Sequence, residues 1–294
     1  MSLATLIKPL KITSCLFYPD AQIVFVCGKD LNNIDSKRKI FMQYAAKNLQ
    51  RFNFLLAEKV FATKMHDDDI DLLTIESTMS NYADCIIIIL ESESAFAELG
   101  AFSFSDELAK KIIVINDILF RDSPSFINHG PIKKIAQQRD GFGKPIHVNM
   151  DSFLSCAHLV EQKLSKIERK KAFRRNLDSY DKFIKYSKER MLLLFDIIGF
   201  LSPVTLKELI SICEEIYGKN DFSFLRTDIS ILSSLNMIST QQAIEEGHTI
   251  TYLITKGNFP RFLKTEIRDR ITIRSNVLLH YKATSANRLD VLTK

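Results

Sequence analysis

The sequence predicts an α/β protein in which a doubly wound, five-stranded parallel sheet is followed by a mostly helical second domain. Short apolar runs rich in β-branched residues alternate with helical patterns over roughly the first half of the chain. After residue 190 the pattern changes to three successive helices and one hairpin. At 294 residues the chain is long enough for two ordinary domains.

Five segments have the composition of strands, and helical patterns separate them. Residues 1–22 show no firm period and predict an arm or an additional first element. Residues 34–51 and 71–83 have the spacing of amphipathic helices. Strands that alternate with helices in this way form a parallel sheet covered on both faces. The predicted strands are residues 23–27, 52–57, 85–90, 111–115 and 145–148.

The segment from Asp84 to Phe102 is the centre of this prediction. Residues 85–90 form an unbroken apolar run, and residues 91–94 are abruptly polar. Phe96, Leu99 and Phe102 then recur at three-residue spacing, so a helix has begun. The pattern places Glu98 in or near the first turn of that helix. This is the carboxyl end of a central strand, where open α/β sheets bind their ligands.

The carboxylate of Glu98 has two interpretations. The helix dipole favours negative charge at a helix N-terminus. An ionised carboxylate can attack a sugar carbon that is losing its leaving group, or stabilise positive charge that develops on it. The other interpretation is that Glu98 only complements the helix dipole. Glu is common in the first turn of helices, so without further evidence this second interpretation is favoured.

The motif around Glu98 resembles a known family. Residues 94–101, Ser-Ala-Phe-Ala-Glu-Leu-Gly-Ala, are similar to the signature of nucleoside 2-deoxyribosyltransferase-like domains. The similarity is closer to the effector proteins of bacterial retrons of that type. One departure is residues 93–95, Glu-Ser-Ala, where the usual turn has Gly or Pro. The features shared with the retron effectors are Glu91-Ser92, Phe96, the run from Glu98 to Phe102, a strand ending at Asp117, and Ser-Phe-Ile-Asn-His-Gly-Pro at residues 125–131.

The resemblance implies a Rossmann- or flavodoxin-like domain that cleaves an N-glycosidic bond, with Glu98 as nucleophile or oxocarbenium stabiliser. The substrate would be a nucleoside, a nucleotide or NAD, and no cofactor or metal is expected. Taken without the resemblance, Gly28 and Asp30 fit a plain turn, and Asn128 fits a cap before Gly130. With it, Asn128 would complete the active site of a neighbouring subunit. The predicted substrate-binding residues are Gly28, Asp30, Glu91, Ser94 and Asn128.

The second half of the chain is the basic half. Residues 1–150 have a net charge of −1, whereas residues 151–294 have +6. Residues 163–190 alone have a net charge of +7, and they fit either a solvated connecting helix or contacts to phosphate groups. We predict a catalytic domain at residues 1–155, a basic helical linker at 156–190 and a second domain at 191–294. The candidate nucleic-acid contacts of the linker are Arg169, Lys170, Lys171, Arg174 and Arg175.

The second domain has the pattern of a winged helix. Three helices, at residues 191–200, 206–217 and 222–235, precede a hairpin that turns at residues 245–247. The third would be the recognition helix by position, with Arg226 facing phosphate or base. The acidic tip of the hairpin mildly favours a protein-docking winged helix instead. Residues 259–273 predict a last helix, and residues 275–294 an end that is frayed or bound to a partner.

Composition argues against several classes of protein. No apolar run reaches the roughly 18 residues that span a bilayer, and residues 1–10 have no signal-peptide core, so a cytoplasmic protein is expected. The five cysteines are scattered and predict buried thiols in a reducing compartment. The acidic residues 67–69 fit a solvated helix start better than a metal site. Asp84 fits a structural role, and Glu76 is a secondary site candidate.

Two further inferences follow from the resemblance. It implies a toxin of anti-phage defence that a reverse transcriptase and its branched RNA–DNA product (msDNA) hold inactive. It also implies a homo-oligomer formed through the N-terminal domain. The alternative is a non-catalytic, nucleotide-sensing winged-helix regulator that binds DNA. A nucleoside salvage enzyme is a third hypothesis, but such an enzyme has no need of a basic winged helix.

Overall fold

The computed structural model describes residues 2–18, 22–58, 60, 79–167, 172–245, 247–259 and 261–292. The strands are β1 Ser14–Phe17, β2 Gln22–Cys27, β3 Phe52–Leu55, β4 Cys85–Ile89, β5 Ile112–Asp117, β6 Ile146–Val148, β7 Phe173–Asn176, β8 Ile238–Glu245 and β9 His248–Thr255. The α-helices are α1 Leu3–Ile7, α2 Lys37–Asn48, α3 Glu93–Phe104, α4 Asp106–Ala109, α5 Lys133–Ala136, α6 Ala157–Leu164, α7 Tyr180–Lys185, α8 Ser187–Leu201, α9 Leu206–Tyr217, α10 Phe224–Ser234 and α11 Ile267–Thr284.

The chain divides into two compact units. The first, the α/β unit, lies within residues 22–167. The second, the helical unit, combines residues 2–18 with the chain from residue 172 onwards. Within the described residues, no helix has the length and apolar content needed to cross a bilayer. All five cysteines are buried, as predicted.

The α/β unit is built on a five-stranded parallel sheet in the order β3-β2-β4-β5-β6. This confirms the predicted doubly wound sheet. Every residue of β2 and β4 is buried, as expected for strands covered on both faces. The order reverses between β2 and β4, because the chain first adds β3 on one side and then β4, β5 and β6 on the other. Ligands bind at such a switch point.

Helices cover the two faces of this sheet. On one face, Phe41 and Ala45 of α2 and Val160 and Leu164 of α6 share a core with alternate residues of β4. On the other face, the Phe102 ring of α3 lies 6.2 Å from the ring of Phe25 in β2. The side chains of Ala95, Leu99 and Phe102 form the buried stripe of α3. This packing fixes α3 against the sheet directly after β4.

The stretch predicted as a basic linker, residues 156–190, contains elements of both units. Its first part contains α6, where Val160 and Leu164 are fully buried in the α/β core. Its later part contains β7, which pairs antiparallel with β1 in the helical unit. The linker prediction followed the basic composition of this stretch and overlooked the apolar positions of α6. In β7, Phe-Arg-Arg-Asn lacks the apolar run that marks a strand, so pairing with β1 decides its structure.

The helical unit has the element order predicted for a winged helix. Helices α8, α9 and α10 precede the β8–β9 hairpin, in which Glu245 pairs with His248. Between α8 and α9, Val204 pairs with Leu253 of β9, so a third short segment joins the hairpin. Helix α9 begins with a capping box, in which Thr205 and Glu208 each accept from the other's backbone N–H.

The last helix begins later than the sequence pattern predicts. It runs from Ile267 to Thr284 and buries Ile273, Val277 and Tyr281, so most of the end predicted to be frayed is helical. Asp196 explains the difference. Its buried carboxylate accepts backbone N–H groups at 2.7, 2.9 and 2.6 Å from residues 261–263, which hold that segment in a non-helical path. Burial raises the pKa of Asp196 to about 6, although these hydrogen bonds act in the opposite direction.

Candidate active site

A cleft opens at the carboxyl edge of the sheet, at the switch point between β2 and β4. Its volume is about 420 Å³, within the range of small-molecule sites. The loops after β2, β4, β5 and β6 all contribute to its walls. We call it the switch-point cleft. It is lined by Lys29, Asp35, Lys37, Leu90, Glu91, Phe96, Asp117, Phe120 and Met150.

Glu91 organises one wall of the switch-point cleft. Its Oε1 accepts the backbone N–H groups of Lys29 (3.1 Å) and Arg38 (2.9 Å), and its Oε2 accepts that of Lys37 (2.7 Å). Lys37 and Arg38 are the first two residues of α2. The helix N-terminus, a common site for phosphate in α/β proteins, is therefore already occupied by the protein's own carboxylate.

The loop after β2 is packed tightly against this carboxylate. A Cβ atom on Gly28 would lie 3.0 Å from Glu91 Oε1 and 3.1 Å from Arg38 Cβ, so only glycine fits without a shift. Arg38 is buried, donates to the Lys29 carbonyl at 2.9 Å and pairs with Glu58 at 2.9 Å. Gly28 thus permits the close approach of this loop to Glu91, and Glu91 and Arg38 hold the loop on two sides.

Asp30 lies in the loop that follows β2, and Ser94 is the second residue of α3, which follows β4. The Asp30 carboxylate accepts the Asn32 backbone N–H at 2.7 Å and closes a turn. The exposed Ser94 hydroxyl is 3.0 Å from that of Ser92, the N-cap of α3. Neither residue lines the switch-point cleft of the described chain. Their predicted contact with substrate stays a prediction.

Asn128 supports the opposite wall. Its side-chain amide donates to the carbonyls of Phe120 and Ser123, both at 2.8 Å. Phe120 lines the cleft, and so does Asp117, whose carboxylate caps the short helix that ends at Phe120. Asn128 therefore fixes the loop after β5 within its own chain. Its predicted role in a neighbouring site is untested by these contacts.

Glu98 lies deeper in its helix than the sequence pattern predicts. Helix α3 begins at Glu93 with Ser92 as N-cap, so Glu98 is its sixth residue and belongs to the second turn. The dipole acts within the first turn, so it contributes less at Glu98 than expected. The side chain is half-buried, and its Oε2 atom is buried. Asp84, at the opposite end of β4, accepts the Ile23 backbone N–H at 2.8 Å, which fits the structural role predicted for it.

Glu98 and the switch-point cleft lie on different flanks of α3. Phe96 lines the cleft, and Glu98 does not, within the described residues. Helical residues are separated by about 100°, so Phe96 and Glu98 differ by about 200° around the axis. The buried stripe of Ala95, Leu99 and Phe102 lies between them. Within the described residues, Glu91 and Glu98 therefore do not line the same cleft, and their predicted roles stay predictions.

The predicted nucleic-acid contacts have different environments within the helical unit. Arg226 and Arg174 are exposed. Arg175 donates from Nε to Glu189 at 3.1 Å, and its guanidinium lies 4.2 Å from the Tyr186 ring centre, so it is already engaged. The other candidates at residues 169–171, the acidic residues 67–69 and Glu76 lie outside the described residues. Within the described part of the chain, no group of three or more His, Cys, Asp or Glu side chains is placed to hold a metal ion.

The chain is similar in sequence to known proteins. A family model described as STM3845 retron effector protein matches residues 34–240. The chain belongs to this retron effector family. A retron Ec73 protein of Escherichia coli, provisionally named a ribosyltransferase/DNA-binding protein, is 32% identical over 240 residues, 76% of each chain. A retron Ec86 protein of Escherichia coli with the same provisional name is 35% identical over 126 residues, 40% of this chain and 39% of that protein.

The region matched by the retron effector family contains Glu98 and every lining residue of the switch-point cleft except Lys29. Sequence reasoning missed Lys37, Phe120 and Met150 as cleft residues. Each follows a strand or opens a helix at the carboxyl edge, and that position is the signal that could have found them. It also missed Arg38, whose charge suggested a solvated helix face although the residue is buried.

Glu91→Gln is expected to lower the free energy of unfolding by about 2–4 kcal/mol. The substitution keeps one acceptor oxygen, removes the charge and points an NH₂ group at backbone donors. Hydrogen bonds to a charged group contribute about 1.5–3 kcal/mol each. Urea unfolding of Glu91→Gln beside Glu93→Gln, an exposed position on α3, measures the effect. Equal stability of the two variants would mean that Glu91 serves only the ligand.

Proposed function

We propose that this chain is the toxic effector of a retron and that it cleaves an N-glycosidic bond through Glu98. The observation that carries the proposal is Glu98 itself, a half-buried carboxylate with a buried Oε2 atom. It stands in the Glu-Leu-Gly-Ala motif on the helix that follows the central strand. Membership of the retron effector family and the ribosyltransferase names of two relatives support it.

The proposed reaction takes place at the anomeric carbon of a ribose. One Glu98 oxygen forms a bond to that carbon while the C–N bond breaks and its electron pair goes to the base nitrogen. Water then attacks the same carbon, the ester bond to Glu98 breaks and the water proton leaves to solvent or to the released base. If Glu98 does not bond to the sugar, its charge stabilises the developing oxocarbenium ion instead.

The proposed substrate is NAD, a nucleoside or a nucleotide. For NAD the leaving group is nicotinamide, whose ring nitrogen is positively charged until the bond breaks, so no acid is needed to release it. The switch-point cleft has the size of a small-molecule site and two lysines, Lys29 and Lys37, in its wall. These features support a ligand that carries sugar or phosphate groups in that cleft. Glu98 does not line the cleft within the described residues, so the choice of a ribose-containing substrate for Glu98 rests on the ribosyltransferase names of the two relatives.

We also propose that the α/β unit forms a homo-oligomer. Phe104, Leu119 and Phe126 are 87%, 81% and 81% exposed, which is unusual for large apolar side chains in one domain. Leu119 and Phe126 flank the loop that Asn128 holds. A second copy of the chain would cover these side chains, and it would bring its own Asn128 loop towards its neighbour, as the resemblance implies.

Reverse transcriptase and msDNA are the proposed partners that restrain the toxin. The second half of the chain has a net charge of +6, and Arg174 and Arg226 are exposed there. A polyanion attracts such a surface. The DNA-binding part of the relatives' names supports the same view.

The test is to produce the chain in cells without its partners and to measure growth, NAD, nicotinamide and free bases. We expect growth to slow and NAD or nucleosides to fall as the matching base appears. Glu98→Gln should prevent both changes at equal protein level. Nicotinamide release would identify NAD as substrate, and release of another base would identify a nucleoside or nucleotide.

A non-toxic wild-type chain with unchanged metabolites would contradict the catalytic proposal. The second candidate function, a nucleotide-sensing regulator that binds DNA, would then be favoured. The exposed Arg226 on the third helix of the winged-helix order is the observation that supports it.

A further inference from the structure

A second concave site lies in the α/β unit at the outer edge of the sheet. Its volume is about 400 Å³. It is bounded by β6, which is the edge strand, by α6 and by the loop after β5. We call it the basic cleft. It is lined by Arg121, Lys144, Pro145, Ile146, His147, Leu159, Gln162, Lys163 and Lys166.

The lining of the basic cleft is one-sided in charge. Arg121, Lys144, Lys163 and Lys166 come from three separate segments and face one volume. No Asp or Glu is among the described residues that line it. The switch-point cleft differs, since Asp35, Glu91 and Asp117 line that one. A solvated surface commonly mixes the two signs of charge, so this lining suits an anion.

Lys163 gives the cleft a fixed point. The residue is half-buried, and its ammonium donates to the Lys144 carbonyl at 2.9 Å and to the Phe142 carbonyl. These bonds hold the charge at the wall and tie α6 to the segment that enters β6. The other cations of the group, Arg121, Lys144 and Lys166, are exposed and can adjust to a ligand.

The cations of the cleft repel one another. Burial and the nearby charge of Lys166 lower the pKa of Lys163. Burial and Arg121 lower the pKa of His147, which the neighbouring Asp122 raises in part. The acid of α6 closest in sequence, Glu161, is engaged by the Tyr44 hydroxyl. A bound anion would relieve this repulsion.

We propose that the basic cleft is a phosphate-binding site, separate from Glu98, for the phosphate groups of a nucleotide or of a nucleic-acid strand. Arg and Lys are the usual partners of phosphate, Arg through paired N–H donors and Lys as a point charge. The cleft volume suits one or two phosphate groups with part of a nucleoside. The inference does not depend on the reaction proposed for Glu98.

The experiment measures binding of two probes to the full chain in the Glu98→Gln background. The probes are inorganic pyrophosphate and a fluorescent single-stranded oligothymidylate. The cleft variant combines Arg121→Gln, Lys144→Gln and Lys166→Gln. The matched control combines Lys110→Gln, Lys133→Gln and Arg139→Gln, which removes the same charges from exposed positions of the same unit that do not line the cleft.

For a strand, the cleft variant should reduce the slope of log affinity against log salt by about 2, since each phosphate contact to a single strand contributes about 0.7. For pyrophosphate, the cleft variant should lose binding that the control retains. Displacement of the strand by pyrophosphate would show that both sources share the site. If neither probe distinguishes the cleft variant from the control, the proposal is overturned. If the triple variant misfolds, Lys144→Gln and Lys166→Gln are tested singly. Each should reduce the slope for the strand by about 0.7, as expected for one lost phosphate contact.

Discussion

Glu98→Gln is expected to lower turnover of the purified chain by about 10³-fold or more. The substitution keeps the shape of the side chain and removes the charge that would attack the anomeric carbon or stabilise it. Loss of a charge-stabilising group costs about 10²–10³ in rate, and loss of a nucleophile costs more. Because the effect lies in the chemical step, KM should change little while kcat falls.

Base release by the wild type, Glu98→Gln and Glu107→Gln measures this effect. Glu107 is an exposed carboxylate on α4, only three residues beyond the end of α3, and its substitution removes the same charge. We expect Glu107→Gln to retain wild-type turnover. An active Glu98→Gln enzyme would exclude Glu98 as the catalytic group. A covalent adduct trapped on Glu98 by a slow substrate would distinguish the nucleophile from the charge stabiliser.

The sheet could be predicted because its strands carry their own signal. Residues 85–89 are apolar throughout, and a strand buried on both faces has no other composition available. Strand β7 could not be predicted in this way, since only its pairing with β1 makes Phe173–Asn176 a strand. The start of α11 depends on a carboxylate 65 residues earlier in the chain, Asp196, which binds the backbone of Arg261. Local patterns do not contain such long-range contacts.

In the candidate site, too, the features that a local motif encodes could be predicted, and those that depend on long-range contacts could not. The motif located Glu98 after the central strand, where the structure has it. The sequence could not show that the Glu91 carboxylate accepts three backbone N–H groups, because these donors belong to the loop after β2 and to the start of α2, 53 to 62 residues away. Nor could it bring Arg121 and Lys144 together with Lys163, since the basic cleft exists only once α6 has packed beside β6. The role of a side chain is therefore harder to predict from the sequence than the position of a strand or helix.

Asp228→Ala is expected to destabilise the helical unit by about 3–5 kcal/mol. Asp228 and Arg190 are 0% and 3% exposed and form a paired contact, Nε to Oδ2 at 2.7 Å and Nη2 to Oδ1 at 3.0 Å. Removal of Asp228 leaves the buried Arg190 charge without this carboxylate, while its Nη1 still donates to the carbonyls of Phe183 and Ile184. Breaking a buried pair on one side has a cost of this size.

Two comparisons make this prediction specific. Asp178→Ala removes an exposed carboxylate that pairs with Lys182, and it should have no measurable effect. The double substitution of Arg190→Met with Asp228→Leu should restore most of the stability, because apolar residues can replace a buried pair without leaving a charge behind. A double variant as unstable as Asp228→Ala would show that the pair contributes by more than mutual neutralisation.

Hydrogen exchange of the α8 and α10 amides is the appropriate measurement, because a chain with two compact units need not unfold in one step. The result also bears on function. Arg226 lies on the exposed side of α10 and Asp228 on its buried side, so the buried pair sets how the helix presents Arg226. If α10 contacts nucleic acid, Asp228→Ala should weaken binding even where the unit stays folded, whereas the double variant should bind as the wild type does. Equal binding by all three proteins would place the contact elsewhere.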